Sequence, residues 1–292
     1  MMRFLTVCLA LAVLPATALF VVCRSGSDEP TGVDENLPRL PAVDMPASVQ
    51  MREDDVILSF EPSEQERSAT VYRTAPERDA DEQYAESIAN KFGVIGKPQK
   101  DNVSGGYDVE SEIGSVSVPA QNGFSFARAA TQQGSARTLG EDELRREAEA
   151  FLSERDLLPA NARFSFADLQ RRDVYFENIQ VSPGIGGPSI VVGFDEAGTV
   201  ARVGYDWPDL EPVGDYPLVT EEEAFEHIFR GGVFVVFKHL PVEVDSVQVF
   251  FYEERAEDNK SVYVPFYRFK GPDDQHIWVP ALPDEYIMPQ ED

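Results

Sequence analysis

Three times along this chain a short capping pattern opens an amphipathic stretch, and each time a block of alternating, turn-linked sequence follows. Asp79-Ala80-Asp81-Glu82, Thr138-Leu139-Gly140-Glu141 and Thr220-Glu221-Glu222-Glu223 each set a short acceptor side chain three residues before a glutamate. In that spacing the first side chain accepts from the N3 backbone N–H and the glutamate returns the bond, so a helix start is satisfied from within. Tyr84, Ala85, Ile88, Ala89 and Phe92 then share one helical face, as do Leu144, Ala148, Phe151 and Leu152, and again Ala224, Phe225, Ile228 and Phe229. Gly93 and Gly231 stand where helices end, and Asp156-Leu157-Leu158-Pro159 closes the second.

The sequence after each helix has the period of strands. Tyr107 to Ala130 alternates through Ser115-Val116-Ser117-Val118 and Phe124-Ser125-Phe126, with Gln121-Asn122-Gly123 as a turn. The second block holds Arg163 to Leu169, Val174 to Val181, Ser189 to Phe194 and Val200 to Asp206; the third holds Val233 to Phe237, Ser246 to Tyr252, Ser261 to Phe269 and Gln275 to Val279. Two further short strands are expected at Val56 to Phe60 and Ala69 to Tyr72. Strands joined by tight turns pair antiparallel, so each block predicts a helix laid on one face of an antiparallel sheet. The fold class is therefore α+β, with tandem units of an amphipathic helix packed on an antiparallel sheet. The expected units are 54–137 (allowing for an incomplete one), 138–218 and 219–288, with a frayed end at 289–292. Three independently capped helices without any repeat remain the alternative.

The N-terminus gives the chain its expected address. After Arg3 an apolar run from Phe4 to Val22 is interrupted only by Thr6, Thr17 and Pro15, and about 20 such residues suffice to span hydrocarbon as a helix. Residues 1–23 are thus a signal sequence, a lipoprotein signal or an uncleaved anchor. Cleavage after Ala16-Thr17-Ala18 would secrete the protein; Cys23 is the lipidation candidate, although Val22 stands where a lipobox wants a small residue; an anchor would keep Arg3 inside. The latter two outcomes tether the protein to the extracytoplasmic face of the cell membrane. From 24 to 53 the chain is rich in Pro and Asp, with Pro30, Pro38, Pro41 and Pro46, and is expected to be a disordered spacer.

Charge narrows the partners. The chain has 52 acidic and 25 basic residues, a formal charge of -27, and Arg3 is the only charged residue before Arg24. An exported part so acidic repels nucleic acid and anionic lipid head groups. It also suits a salty habitat, a cationic partner or loosely held divalent cations. Cys8 lies inside the apolar run, which leaves the exported domain without a disulfide or a thiolate metal site. With all 10 Tyr and all of the 19 Phe but Phe4 and Phe20, its stability must come from an aromatic core.

No catalytic motif is visible. His227 follows Glu226 on a helix without a second histidine at metalloprotease spacing; His239 ends an apolar strand; His276 stands beside Asp273-Asp274. There is no G-x-S-x-G elbow, although a triad can assemble from dispersed residues. Asp54-Asp55 and Glu221 to Glu223 would serve acid–base chemistry only if desolvated, and the latter suit a helix start. Asp195 and Gly198 lack the rest of a calcium loop. No metal, cofactor or catalytic residue is expected. Pro183-Gly184-Ile185-Gly186-Gly187-Pro188 reads as a hairpin loop, with Gly184, Gly186 and Gly187 as a possible recognition loop. Trp207 and Trp278 are read as core, with an interface role as the alternative.

The order Val191-Val192-Gly193-Phe194-Asp195-Glu196-Ala197-Gly198-Thr199-Val200, leading through Tyr205-Asp206-Trp207 to Tyr216-Pro217-Leu218-Val219-Thr220, resembles PepSY-type modules and the related YycH/YycI-like extracytoplasmic proteins. The ending Tyr263-Val264-Pro265-Phe266-Tyr267-Arg268-Phe269-Lys270-Gly271, continuing to Trp278-Val279-Pro280-Ala281-Leu282, is similar to the closing strands of that group. Over roughly 139–282, the resemblance implies a non-catalytic, membrane-tethered regulatory protein that contacts a peptidase or a membrane sensor. It transfers no site residues. Two other readings stay open: a cation- or ligand-binding lipoprotein, and a hydrolase whose pocket holds one of the three histidines.

Overall fold

The computed structural model describes residues 36–41, 51–75, 80–103, 105–120, 123–130, 135–182, 184–185, 187–231, 233–236, 239–255, 260–272 and 275–288. The apolar run, Cys23, Gly186 and residues 289–292 lie outside them. The described residues form an α+β structure, rich in antiparallel strands, with three α-helices.

In chain order the elements are β1 (Val56–Leu58), β2 (Arg67–Thr74), α1 (Glu82–Lys91), β3 (Gln99–Lys100), β4 (Tyr107–Ser111), β5 (Gly114–Val118), β6 (Phe124–Arg128) and α2 (Glu141–Ser153). Then come β7 (Ala162–Asp168), β8 (Asp173–Asn178), β9 (Gly184–Ile185), β10 (Ser189–Phe194), β11 (Val200–Asp206), β12 (Leu210–Leu218) and α3 (Glu221–Ile228). The chain closes with β13 (Phe234–Val236), β14 (Val242–Val244), β15 (Ser246–Arg255), β16 (Ser261–Lys270) and β17 (His276–Pro280).

The helix starts follow the capping chemistry, with two shifts. Thr220 caps α3 as expected: Glu223 donates its N–H to Thr220 Oγ1 at 3.1 Å, and Thr220 donates its own to Glu223 Oε2 at 2.8 Å. In α1 the cap is Asp81, not Asp79; Asp81 Oδ1 accepts from the Tyr84 N–H at 2.6 Å. In α2 it is Gly140, not Thr138, and only the returning bond forms, from Gly140 N–H to Glu143 Oε2 at 3.2 Å. Asp156 closes α2 in the left-handed region, φ 52°, which lets Leu157 donate to the Leu152 carbonyl at 2.9 Å.

One sheet has eight strands in the order β3-β4-β5-β6-β11-β10-β8-β7, every pair antiparallel. The two meanders, one after α1 and one after α2, meet through their last strands, with Phe124 opposite Tyr205 and Ala127 opposite Arg202. Ala85, Ile88 and Ala89 of α1 and Leu144, Ala148 and Leu152 of α2 are buried in one cluster with Val116, Phe126, Val174, Phe176, Ile190 and Val203. All six of these strand residues fall on one face, by the alternation of the pleat and the register across the strands. The opposite face carries Ser117, Ser125, Gly204, Val191 and Tyr175 in a row.

The other large sheet runs β12-β2-β16-β15-β9, and β17 also pairs with β16 and carries β13. Its core joins Ala224 and Ile228 of α3 to Tyr267, Phe269, Ile277 and Val279. Glu221, 5% exposed at the start of α3, is held by Arg67 Nη1 at 2.8 Å and by the Ser63 N–H at 3.0 Å. β2 and β12 are adjacent and antiparallel, and Ala75 donates to the Asp209 carbonyl at 2.8 Å where they end. Everything from 76 to 208, including the eight-stranded sheet, is therefore inserted between two neighbouring strands of the second sheet.

Two expectations need correction. Part of the stretch 24–53 is not spacer: Leu40 is 3% and Met51 4% exposed, Leu40 donates to the Tyr286 carbonyl and accepts from Met288, and Tyr216 Oη donates to the Pro38 carbonyl at 2.7 Å. These apolar residues find burial against the second sheet that their Pro-rich surroundings conceal. The hairpin-loop reading of 183–188 also falls short, because Gly184 and Ile185 form β9 and pair in parallel with Phe251 and Tyr252 of β15. The connection from β8 to β10 thus leaves its own sheet to cover the edge of the other.

Candidate binding groove

At its β7 end the eight-stranded sheet stops without a further strand among the described residues. β7 carries a bulge: Phe164 stands opposite Phe176, whereas Phe166 stands opposite Tyr175, so two residues on β7 span one step on β8. Without the bulge, Phe164 and Phe166 would share a face. With it, Phe164 turns to the helix-covered core, edge-on to Phe176 at 6.3 Å, and Phe166 turns to the open face, stacked on Tyr175 at 4.3 Å. Phe166 is 51% exposed. An aromatic pair is thus offered to solvent at an unpaired sheet edge.

Beside this pair lies a groove of about 370 Å³, lined among others by Phe166, Tyr175, Glu177, Gly187, Ser189 and Asp206. Register explains the convergence, since Ser189 stands opposite both Glu177 on β8 and Asp206 on β11. Glu177 is bound by Arg163, whose Nη2 donates to Oε1 at 2.8 Å and also to Ser182 Oγ at 2.6 Å. Asp206 stands solvent-accessible at the end of β11, yet the protein around it disfavours the ionised form and raises its pKa.

The second sheet brings a related carboxylate. Burial raises the pKa of Glu253, the charge of Asp206 raises it further, and the hydroxyl of Ser261 and Arg255 act the other way. Ser261 Oγ donates to Glu253 Oε1, and the Ser261 N–H donates to Thr74 Oγ1 at 3.0 Å. Tyr263, opposite Glu253 in the register of β15 and β16, is held in its neutral form by burial and by the same two acids. The groove is therefore acidic, aromatic at one wall, and electrostatically coupled to the other sheet.

Of the residues singled out in the sequence, Gly187 lines the groove, Gly184 is engaged in β9, and Gly186 and Cys23 lie outside the described residues. The histidines are separate from it. His227 is half-buried on α3, His239 is exposed, and His276 opens β17 with its ring 5.8 Å from that of Trp278. Trp207 and Trp278 are partly buried, packed on the first and second cores respectively. Asp55 Oδ2 is taken by the Arg52 N–H at 2.9 Å. Among the described residues no group of three or more His, Cys, Asp or Glu is placed to hold a metal ion, and no helix is long and apolar enough to cross a membrane. Phe166, Glu177 and Asp206 were not foreseen, because they meet only through the bulge and the register.

No protein-family model and no curated protein matches the chain. Among solved structures it is similar to an uncharacterized protein from Eubacterium rectale ATCC 33656, with 9% sequence identity over 81% of this chain and 92% of the other, at a TM-score of 0.41.

Proposed function

We propose that this chain is a membrane-tethered, extracytoplasmic regulatory protein of PepSY- or YycI-like character that works by contact, not catalysis. In this reading it takes an extended, positively charged segment of another envelope protein, a peptidase or a membrane sensor, along β7 and into the adjoining groove. The carrying observation is the pairing of an open strand edge with an acidic, aromatic groove beside it. Strand addition supplies sequence-independent affinity through the backbone, while pockets for alternate side chains supply selectivity. Phe166 and Tyr175 suit the aliphatic stem of a lysine or arginine, and Glu177 and Asp206 suit its charge. The charge of -27 raises the local concentration of such a segment.

The tether is the apolar run before Arg24. The finer architecture belongs to the same reading: the helix-plus-meander units around α1 and α2 are tandem copies, supported by the mirrored strand order on either side of β6 and β11.

The test is amide hydrogen exchange on the full chain in detergent, with a panel of extended octapeptides of basic, neutral and acidic composition. Basic peptides should protect β7 amides and weaken with salt. Equal protection by acidic peptides, or protection confined to other strands, would overturn the reading.

A further inference from the structure

At the other end of the β7–β8 hairpin, a second cleft of about 910 Å³ gathers arginines from a chain in which acids outnumber bases two to one. Arg128 comes from the end of β6, and Arg171 and Arg172 from the turn between β7 and β8; the turn between β10 and β11 forms the far wall. Two segments distant in sequence thus bring three arginines to one opening, and a third segment walls it.

Two of these groups are fixed by backbone carbonyls instead of carboxylates. Arg172 Nη1 donates to the carbonyls of Asp195 and Glu196, both at 2.9 Å, and Arg128 Nε donates to the Val200 carbonyl at 2.8 Å. Each bond immobilises a planar fork while leaving further N–H donors unspent, and neither arginine forms an ion pair among the described residues. Arg172 is held there from a left-handed backbone, φ 56°, a conformation that a residue with a Cβ adopts only when its surroundings insist. Arg171, more exposed, has Asp168 at 3.8 Å.

The acids in the lining are Asp195 and Glu196. Asp195 Oδ1 is occupied by the Thr199 N–H at 2.8 Å, and Glu196 is exposed, free to turn its charge to solvent. Beside the neutral side chains of Gln170 and Thr199, the charged donors in the cleft are those of the arginines.

We infer that this cleft binds a small oxyanionic ligand, a carboxylate or phosphate bearer, through Arg128 and Arg172, with Arg171 as an outer contact. Preorganised guanidinium forks are the usual partners of both groups, because two parallel N–H donors match two oxygens. The cleft is also large enough for a ligand with a body beyond its charged group. The site is independent of the proposed β7 groove, and the whole chain need not bind a peptide for it to be filled.

The experiment is calorimetric titration of the full chain with inorganic phosphate and, separately, with succinate, at low salt. One of the two should bind, and the stronger names the ligand's group. Arg128→Gln and Arg172→Gln should each weaken binding about tenfold or more, Arg171→Gln a few-fold, and Arg145→Gln, on α2 over the Phe164 ring and outside the cleft lining, not at all. Because Arg172 also braces a turn, its variant is read together with Arg128→Gln and a far-UV spectrum. Absence of binding by both anions at millimolar concentration, or binding that Arg128→Gln and Arg171→Gln leave unchanged, would overturn the inference.

Discussion

Arg202 on β11 reaches across the intervening strand to Asp173 on β8, its Nη2 within 2.7 Å of one carboxylate oxygen and 2.5 Å of the other. The strand crossed is β10, and the residue beneath the bridge is Gly193, opposite both partners in register. A Cβ at Gly193 would stand 2.5 Å from Arg202 Cγ and 2.7 Å from Asp173 Oδ1. The glycine is therefore the gap through which the pair closes. Asp173 is 2% exposed, so Arg202→Ala leaves a buried carboxylate without its cation and should cost on the order of 1–3 kcal/mol in urea unfolding at neutral pH. Gly193→Ala should displace the Arg202 side chain and lose part of the same amount, and should cost less when added to Arg202→Ala than alone, because only the close approach to Asp173 Oδ1 then remains.

Glu253, partly buried, binds its proton more tightly in the fold than in the unfolded chain, chiefly through burial, and Asp206, whose charge adds to that effect, shifts in the same direction from a more exposed position. The folded form then holds more protons than the unfolded form between the ordinary carboxylate range and the raised values. Stability from these groups is full below that range and falls as pH rises through the raised values. A thermal unfolding series from about pH 4 to pH 8 should show this decline, and Asp206→Asn with Glu253→Gln should flatten it. An undiminished slope in the double variant would assign the decline to other groups.

Phe166 separates binding from stability. Its half-exposed ring stacks on Tyr175 outside the core, so Phe166→Ala should change unfolding free energy by about 0.5 kcal/mol or less while weakening the protection of β7 by basic peptides and narrowing their advantage over neutral ones. Phe176→Ala, at a core position 2% exposed, should instead cost about 3–5 kcal/mol.

Thr220→Ala removes the acceptor for the Glu223 N–H and should lower stability by about 1 kcal/mol in chemical denaturation. Thr138→Ala, which lies before the cap of α2, should be close to neutral.

Most strands and all three helices could be read directly, because amphipathic period and turn chemistry are local properties. β12 could not: Pro212 and Pro217 argue against a strand, and they are tolerated because, among the described residues, β12 pairs only with β2 and leaves its other side open for a residue lacking its N–H. β3, β9 and β14 escaped because two or three residues carry no period, whereas the equally short β1 and β13 sit within longer apolar runs, Val56 to Phe60 and Val233 to Phe237. The groove was legible only at Gly187. Its aromatic wall depends on a bulge that reverses which way Phe166 faces, and its acids come from strands 29 positions apart at Glu177 and Asp206. The arginine cleft was equally hidden, since nothing in the order of residues announces that 128 and 172 will share an opening.

The hydrogen bond between Ala75 and Asp209 makes the middle of this polypeptide a detachable cassette, entering and leaving by one doorway. Splicing a short turn between those two positions would preserve the pairing of β2 with β12, but it would also carry away Gly184 and Ile185. The long flank of β15 would then be stripped of its cover, with Phe251 and Tyr252 along it, and the shortened molecule would be expected to assemble flank to flank with its own kind. The borrowed two-residue strand is thus the feature that obliges both halves to travel together.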